Sequence, residues 1–319
     1  MKKVLLIVFV IVTLVAKAQQ EPQFTQYMFS NMLINPGYAG INNRICATLM
    51  FRQQWMGFTQ FDATGAESTA GPQTFLLAID APVKIFHGGV GVTILKDKLG
   101  FEDNIGAKLN YSYHLNIGQG RLGIGLNAGI LNKTLDYTKL KPIDPNDPIL
   151  IGKGKVTDML YDISGGLYFA MPEKYYAGIT ATQLIENKGD ASSTAISLKR
   201  HYYITGGYYF TFPSNPSFIL APSALIKTDF VSAQYDISVL LSYNNLLWGG
   251  VSYRVQDAVM LLLGFEYKSF NLGFSYDITT SAMGSEKRSS GTIEAMLRYC
   301  FKVKIKRTYN SYKNTRLLD

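Results

Sequence analysis

The chain has 319 residues, of which 13% are aromatic and 17% charged, with a formal charge of +8 and only 2 cysteines. Lys2, Lys3 and Lys17 sit at the very start, and the segment 302–319 holds six basic residues against one acid, so residues 19–301 are neutral overall. That distribution excludes a basic nucleic-acid-binding surface, and this length with so many Tyr and Phe residues suits a single β domain.

Residues 1–18 read as an export leader. Lys2 and Lys3 precede the apolar run Val4–Ala16 and the small-x-small site Ala16-Lys17-Ala18. The run is well short of the ~20 residues that span a bilayer as a helix. Cleavage is expected to make Gln19 the first mature residue, and with no cysteine there the product is not a lipoprotein. Residues 19–42 are not strand-like. Phe24, Tyr27, Met28, Leu33 and Ile34 have mixed spacing, and Asn35-Pro36-Gly37 breaks the chain before the first strand. Physically this is a periplasmic segment that can fold up as a plug into a lumen too wide for side chains alone to fill.

From residue 43 a two-residue rhythm takes over. Ile105, Ala107, Leu109, Tyr111, Tyr113, Leu115 and Ile117 are apolar, whereas Asn104, Gly106, Lys108, Asn110, Ser112, His114 and Asn116 are polar or small. Successive strand residues face opposite sides, so one face wants hydrocarbon and the other water. Fourteen strands are expected, near 43–54, 72–83, 86–97, 103–117, 120–136, 158–170, 174–183, 200–212, 217–229, 233–244, 247–256, 258–267, 269–279 and 291–305. Connections after even strands are short, and every long one (55–71, 137–157, 184–199, 280–290) follows an odd strand. In an exported chain this pattern is that of an all-β, transmembrane antiparallel β-barrel with short periplasmic turns and long outer loops. The barrel is placed at 43–305 and a basic periplasmic tail at 306–319. That tail reads either as a disordered end or as a docking element for an acidic partner or lipid headgroups.

Charges such as Glu266 and Asp277 must face inward, because charge in hydrocarbon costs kilocalories. Cys46 and Cys300 share the inward parity of the first and last strands. A disulfide and two small buried thiols both remain open from this placement.

Catalytic signatures are sparse. His87, His114 and His201 lack ligand spacing, so no metal site is assigned. Gly118-Gln119-Gly120-Arg121-Leu122-Gly123 spells a GxGxxG pattern but opens a strand, which points to a hairpin with strand glycines. The turn-rich Asp144-Pro145-Asn146-Asp147-Pro148 departs from calcium-loop spacing. No catalytic residue and no cofactor is assigned, and the chain reads as a non-enzyme.

Several ordered segments resemble one family. Gln26-Tyr27-Met28-Phe29 followed by Asn35-Pro36 and Tyr38-Ala39-Gly40 is similar to the QYMF…NPxYAG opening of the PorP/SprF proteins of Bacteroidetes. Arg52-Gln53-Gln54-Trp55, Gly89-Val90-Gly91-Val92 with Asp97-Lys98-Leu99-Gly100, Tyr111-Ser112-Tyr113 and Arg121-Leu122-Gly123-Ile124-Gly125 resemble later family segments in order. Glu294, Leu297, Arg298, Tyr299 and Phe301 resemble its closing strand. Pro72-Gln73-Thr74 keeps only part of a family motif, and the long basic tail departs from the pattern.

The resemblance implies an outer-membrane component of type IX protein secretion and gliding motility. Its implied partners are secreted or cell-surface substrate proteins such as adhesins, periplasmic secretion components, and membrane lipids with lipopolysaccharide; no nucleic acid is implied. Tyr27, Asn35, Pro36 and Tyr38 are expected to build the plug, and Arg52 and Trp55 to shape the first outer loop. The alternative is an outer-membrane channel or hydrophobic-ligand transporter.

Overall fold

The computed structural model describes residues 21–61, 67–140, 154–186, 198–281, 284 and 289–302. The leader, Gln19, the Asp144–Asp147 loop and the 306–319 tail lie outside the described residues.

Fourteen antiparallel strands form one closed ring. The first seven are β1 (Arg44–Gln53), β2 (Gln73–Val83), β3 (Gly88–Leu99), β4 (Glu102–Ile117), β5 (Gly120–Asp136), β6 (Lys155–Met171) and β7 (Tyr175–Thr182). The second seven are β8 (His201–Tyr208, resuming as Phe210–Phe212), β9 (Asn215–Thr228), β10 (Ala233–Tyr243), β11 (Leu247–Arg254), β12 (Ala258–Tyr267), β13 (Phe270–Thr279) and β14 (Thr292–Lys302). Each strand pairs with its sequence neighbour, and β14 pairs back onto β1 with Arg52 opposite Glu294. Closure leaves no sheet edge, the condition for strands to cross lipid with every backbone group bonded. Among the described residues no helix is long and apolar enough to cross a membrane.

Alternation sorts the two faces as the sequence pattern requires. Leu263 and Phe274 point outward at 62% and 56% exposure, while Met260, Leu262 and Asp277 point inward and are buried. Glu266 also faces inward, accepting from Asn271 Nδ2 at 3.2 Å. Connections of two to four residues join the even strands to the next at one end, here the turn end. All the long connections lie at the opposite, loop end. β1 starts and β14 finishes at the turn end, where Cys46 and Cys300 face each other across the seam and form a disulfide.

Three details differ from the sequence reading. The first outer loop contains a small hairpin, Thr59–Phe61 with Glu67–Thr69. Three residues per strand are too few for a period-2 signal to register. β8 is interrupted at Tyr209, whose N–H turns to the carbonyl of Lys174 at 2.7 Å, and the register shifts again between Thr211 and Phe212. β6 begins three residues before the expected boundary, because its outer end continues to pair with β5 beyond the apolar band.

A charge on the lipid face tests the assignment of sides. Leu263→Arg, near the middle of β12, is expected to destabilise the folded protein by about 2–4 kcal/mol in urea titrations from lipid vesicles. A change within experimental error would mean that this face does not meet hydrocarbon.

Candidate functional site

The lumen is filled by residues 21–43, which precede β1. A 3-10 turn (Tyr27–Phe29), a single helical turn (Asn31–Ile34) and a second 3-10 turn (Pro36–Tyr38) run from the loop end down to the turn end. A helix this short has no stability of its own. It is held by burial of Met32 and Ile34 and by the rings on either side. Phe29 packs on Trp248 at 4.9 Å between ring centres, and Tyr38 meets Tyr168 edge-on at 5.3 Å.

At Asn35-Pro36-Gly37 the plug lies directly against the wall. Asn35 Oδ1 accepts from Gly37 N at 2.8 Å, capping the second 3-10 turn, and Pro36 occupies the first turn position, where no N–H is needed. Asn35 Nδ2 donates to the wall carbonyls of Leu167 (2.8 Å) and Ile179 (3.2 Å) on β6 and β7. Wall glycines make room for this approach. A Cβ on Gly123 or Gly125 would overlap the Gly37 backbone, and one on Gly166 would overlap the Asn35 amide. Ser112 Oγ donates to the Gly37 carbonyl at 2.9 Å from β4. Lower down, Gly40 (φ +67°) lies against Gly89 and donates its N–H to Asp80 at 3.0 Å.

The other end of the plug is clamped by charge. Arg52 of β1 pairs with Asp277 of β13 at 2.8 Å and with Glu294 of β14 at 3.0 Å, all three buried. Glu294 accepts the backbone N–H groups of Thr25 (2.8 Å) and Gln26 (2.9 Å). Thr25 Oγ1 donates to Asp277 at 2.8 Å and accepts from Arg52 at 2.8 Å. One guanidinium therefore bridges two carboxylates that in turn hold the plug. Beside it, Asp236 is bound by Arg254 (2.7 Å) and receives Gln23 Nε2 at 3.3 Å.

Glu21 makes a third anchor, accepting from Tyr203 Oη (2.5 Å) and Gln183 Nε2 (2.8 Å). Burial pushes the Glu21 carboxyl up, but Lys108, Lys227 and the Tyr203 hydroxyl outweigh burial and hold it below the usual glutamate value. Its stabilising contribution is thus present above that usual value and is lost as pH falls through the lowered one.

The expected plug residues converge. Tyr27 Oη meets Ser223 Oγ at 3.0 Å, Asn35 and Pro36 sit in the glycine-lined wall, and Tyr38 Oη accepts from Arg298 (2.7 Å) and Asn42 (2.8 Å). Trp55 lies at the base of the first outer loop in a left-handed conformation, its N–H on Thr292 Oγ1 at 3.1 Å and its ring edge-on to Phe58. Arg52 belongs with the plug, not with the loop to which the sequence reading assigned it, because its inward parity aims it at Asp277 and Glu294. Sequence reasoning missed the wall glycines and the Glu21 anchor. Above the plug, a cavity of about 280 Å³ opens towards the loop end, lined by plug residues Phe24, Leu33 and Ile34 and by Leu95, Leu131 and Leu198. Among the described residues no cluster of His, Cys, Asp or Glu could hold a metal ion.

A barrel with a filled lumen and this opening segment matches the type IX secretion system membrane protein PorP/SprF profile over residues 16–299. The chain belongs to the PorP/SprF family. This PorP/SprF protein is similar in fold to the Pseudomonas putida toluene transporter TodX, at 12% identity and TM-score 0.54 over 86% of this chain and 93% of that one. It is also similar to a TodX deltaS2S3 mutant monoaromatic hydrocarbon channel (11% identity, 85% and 94% covered, TM-score 0.50) and to a Pseudomonas aeruginosa FadL homologue (13%, 86% and 94%, TM-score 0.49). At such identities the likeness is one of fold alone. Comparison with curated protein sequences finds no match. Family and fold make this PorP/SprF chain an outer-membrane β-barrel of a secretion system.

Removing Arg52 leaves two buried carboxylates without their cation. Arg52→Ala is expected to cost about 3–5 kcal/mol in denaturant titrations of the folded barrel. Gly125→Val, which forces a side chain into the Gly37 backbone, is expected to expose the plug to protease while the barrel still shows a heat-shifted electrophoretic mobility. A stable Arg52→Ala variant with a protected plug would dismiss the clamp.

Proposed function

We propose that the protein is a non-enzymatic, plugged scaffold of the type IX machinery in a Bacteroidetes outer membrane. Its long outer loops bind a secreted or surface adhesin, and its turn end meets periplasmic components of the secretion or gliding apparatus. The leader 1–18 is removed on export, and the basic 306–319 tail engages an acidic partner or headgroups on the periplasmic side. Tyr27, Asn35, Pro36, Tyr38 and Arg52 keep the lumen shut, while Trp55 sets the base of the first outer loop.

The observation that carries this reading is the plug itself. Residues 24–41 are buried in the lumen at nearly every position and are tied to opposite walls by the Arg52 clamp and by Asn35. A permanently filled lumen serves binding and anchoring better than solute flow. Family membership supplies the secretion context.

A second reading, a hydrophobic-ligand channel, is favoured by the cavity above the plug and by its apolar floor. It also draws on the fold shared with TodX, a toluene transporter.

Two measurements separate these readings. In planar bilayers the full-length mature protein is expected to show no steady large conductance, and deletion of residues 19–42 to open one. Loss of the gene is expected to leave particular secreted proteins trapped or degraded, read by mass spectrometry of the medium and cell surface. Steady currents from the intact protein would favour the channel, and an unchanged set of secreted proteins would remove the scaffold role.

A further inference from the structure

Several short connections at the turn end are polar, as solvated turns usually are: Gly118-Gln119, Glu173-Lys174 and Lys268-Ser269. The connection between β2 and β3 reads Lys84-Ile85-Phe86-His87 instead. Ile85 and Phe86 are 85% and 58% exposed, and an exposed Lys84 and His87 flank them. Single exposed apolar residues are ordinary, but an adjoining pair at the tip of a turn marks a contact surface.

The register sets the depth of this turn. β3 starts at Gly88 opposite Tyr113 of β4, and β4 runs on for four residues to Ile117, roughly 13 Å further along the strand. Over that stretch Leu115 and Ile117 are exposed on the outward, lipid-facing side. The turn therefore lies level with the apolar band of its neighbour and does not clear it.

Its shape is fixed from the lipid face. Tyr111, also outward on β4, donates its hydroxyl to the Phe86 carbonyl at 2.8 Å. The Lys84 carbonyl accepts from His87 N at 3.0 Å, with His87 in the left-handed region (φ +51°), and the His87 carbonyl accepts from His114 N at 2.8 Å. A turn whose carbonyls are bonded within the protein enters the membrane boundary at lower cost than one that relies on water.

We propose that the Lys84–His87 turn is a lipid-binding foot. Ile85 and Phe86 insert between the acyl chains of the leaflet at the turn end, continuing the outward face of β4. Lys84 and His87 stay at headgroup level, where the Lys84 ammonium meets lipid phosphate. The occupant of this surface is phospholipid and not a protein, so this sector of the turn end is closed to docking partners.

The test uses the purified, exported protein in vesicles of phosphatidylethanolamine and phosphatidylglycerol. Ile85→Cys supplies one free thiol for a nitroxide label, since the native pair is bridged. Leu263→Cys gives the lipid reference, and Gln119→Cys, at the exposed tip of the β4–β5 turn, gives the water reference. Heat-shifted mobility shows that each labelled barrel is folded. Power saturation then compares collisions with oxygen, which concentrates in hydrocarbon, and with a water-soluble nickel chelate. The oxygen-to-nickel ratio at position 85 is expected to be at least about tenfold above that at 119 and to approach that at 263. Adding Lys84→Glu is expected to lower the ratio at 85 by about twofold or more in these anionic vesicles. Equal ratios at 85 and 119 would overturn the proposal, because a protein-docking surface stays wet in vesicles that hold no partner. A ratio unmoved by Lys84→Glu would overturn the headgroup contact. A wet label at 263 would defeat the lipid face itself and the foot with it.

Discussion

Hydrocarbon offers no partner to a peptide group, and the rest of this structure follows from that constraint. Fourteen strands can satisfy it only by closing on themselves, so β14 must find β1. A ring of this circumference encloses more space than inward side chains can fill. The chain closes the gap with residues 21–41, which precede β1. Plug and wall are therefore two parts of one packing solution, with Phe24, Met32, Tyr38 and Ile41 in the same core cluster as Met50, Leu76, Met260 and Met296.

An irregular segment brings polar backbone into a confined space, and the wall meets it in two ways. Near the turn end it retreats: Gly89, Gly123 and Gly125 give up their side chains so that the backbone from Pro36 to Gly40 can approach main chain to main chain, and Gly166 makes room for the Asn35 amide. Near the loop end it reaches out, with Asp277, Glu294 and Asp236 presenting carboxylates to the plug, Arg52 shared between the first two and Arg254 paired with the third. Buried carboxylates are tolerable only because each has a cation and further donors at hand. The two devices suit their targets. Glycine accommodates a turn that has already satisfied its own bonds, and charge captures N–H groups of a segment that has not.

Much of this was readable from residue order alone. Period-2 alternation gives the strands, parity gives the inward placement of Glu266 and Asp277, and loop length sorts the two ends. The plug's location follows from a non-alternating segment ahead of a barrel of this size. Its path does not, since no periodicity describes three consecutive single turns. Gly123 and Gly125 could be recognised as strand glycines, but what they make room for depends on a partner almost ninety residues away in sequence. Arg52 was misplaced for a similar reason. A residue near the top of a strand looks like part of the adjoining loop until the register across the seam brings Glu294 opposite. The same register decides Cys46 and Cys300, whose shared parity permits a bond without requiring one.

The seam between β1 and β14 is fastened differently along its length. At the turn end a covalent bridge joins the strands, while near the loop end the side-chain fastening is the ionic contact of Arg52 with Glu294. Like a sleeve stitched at one cuff and merely buttoned at the other, this cylinder can gape only outward. Any sideways opening along this line would have to start at the loop end and would loosen the first turn of the plug as it did so.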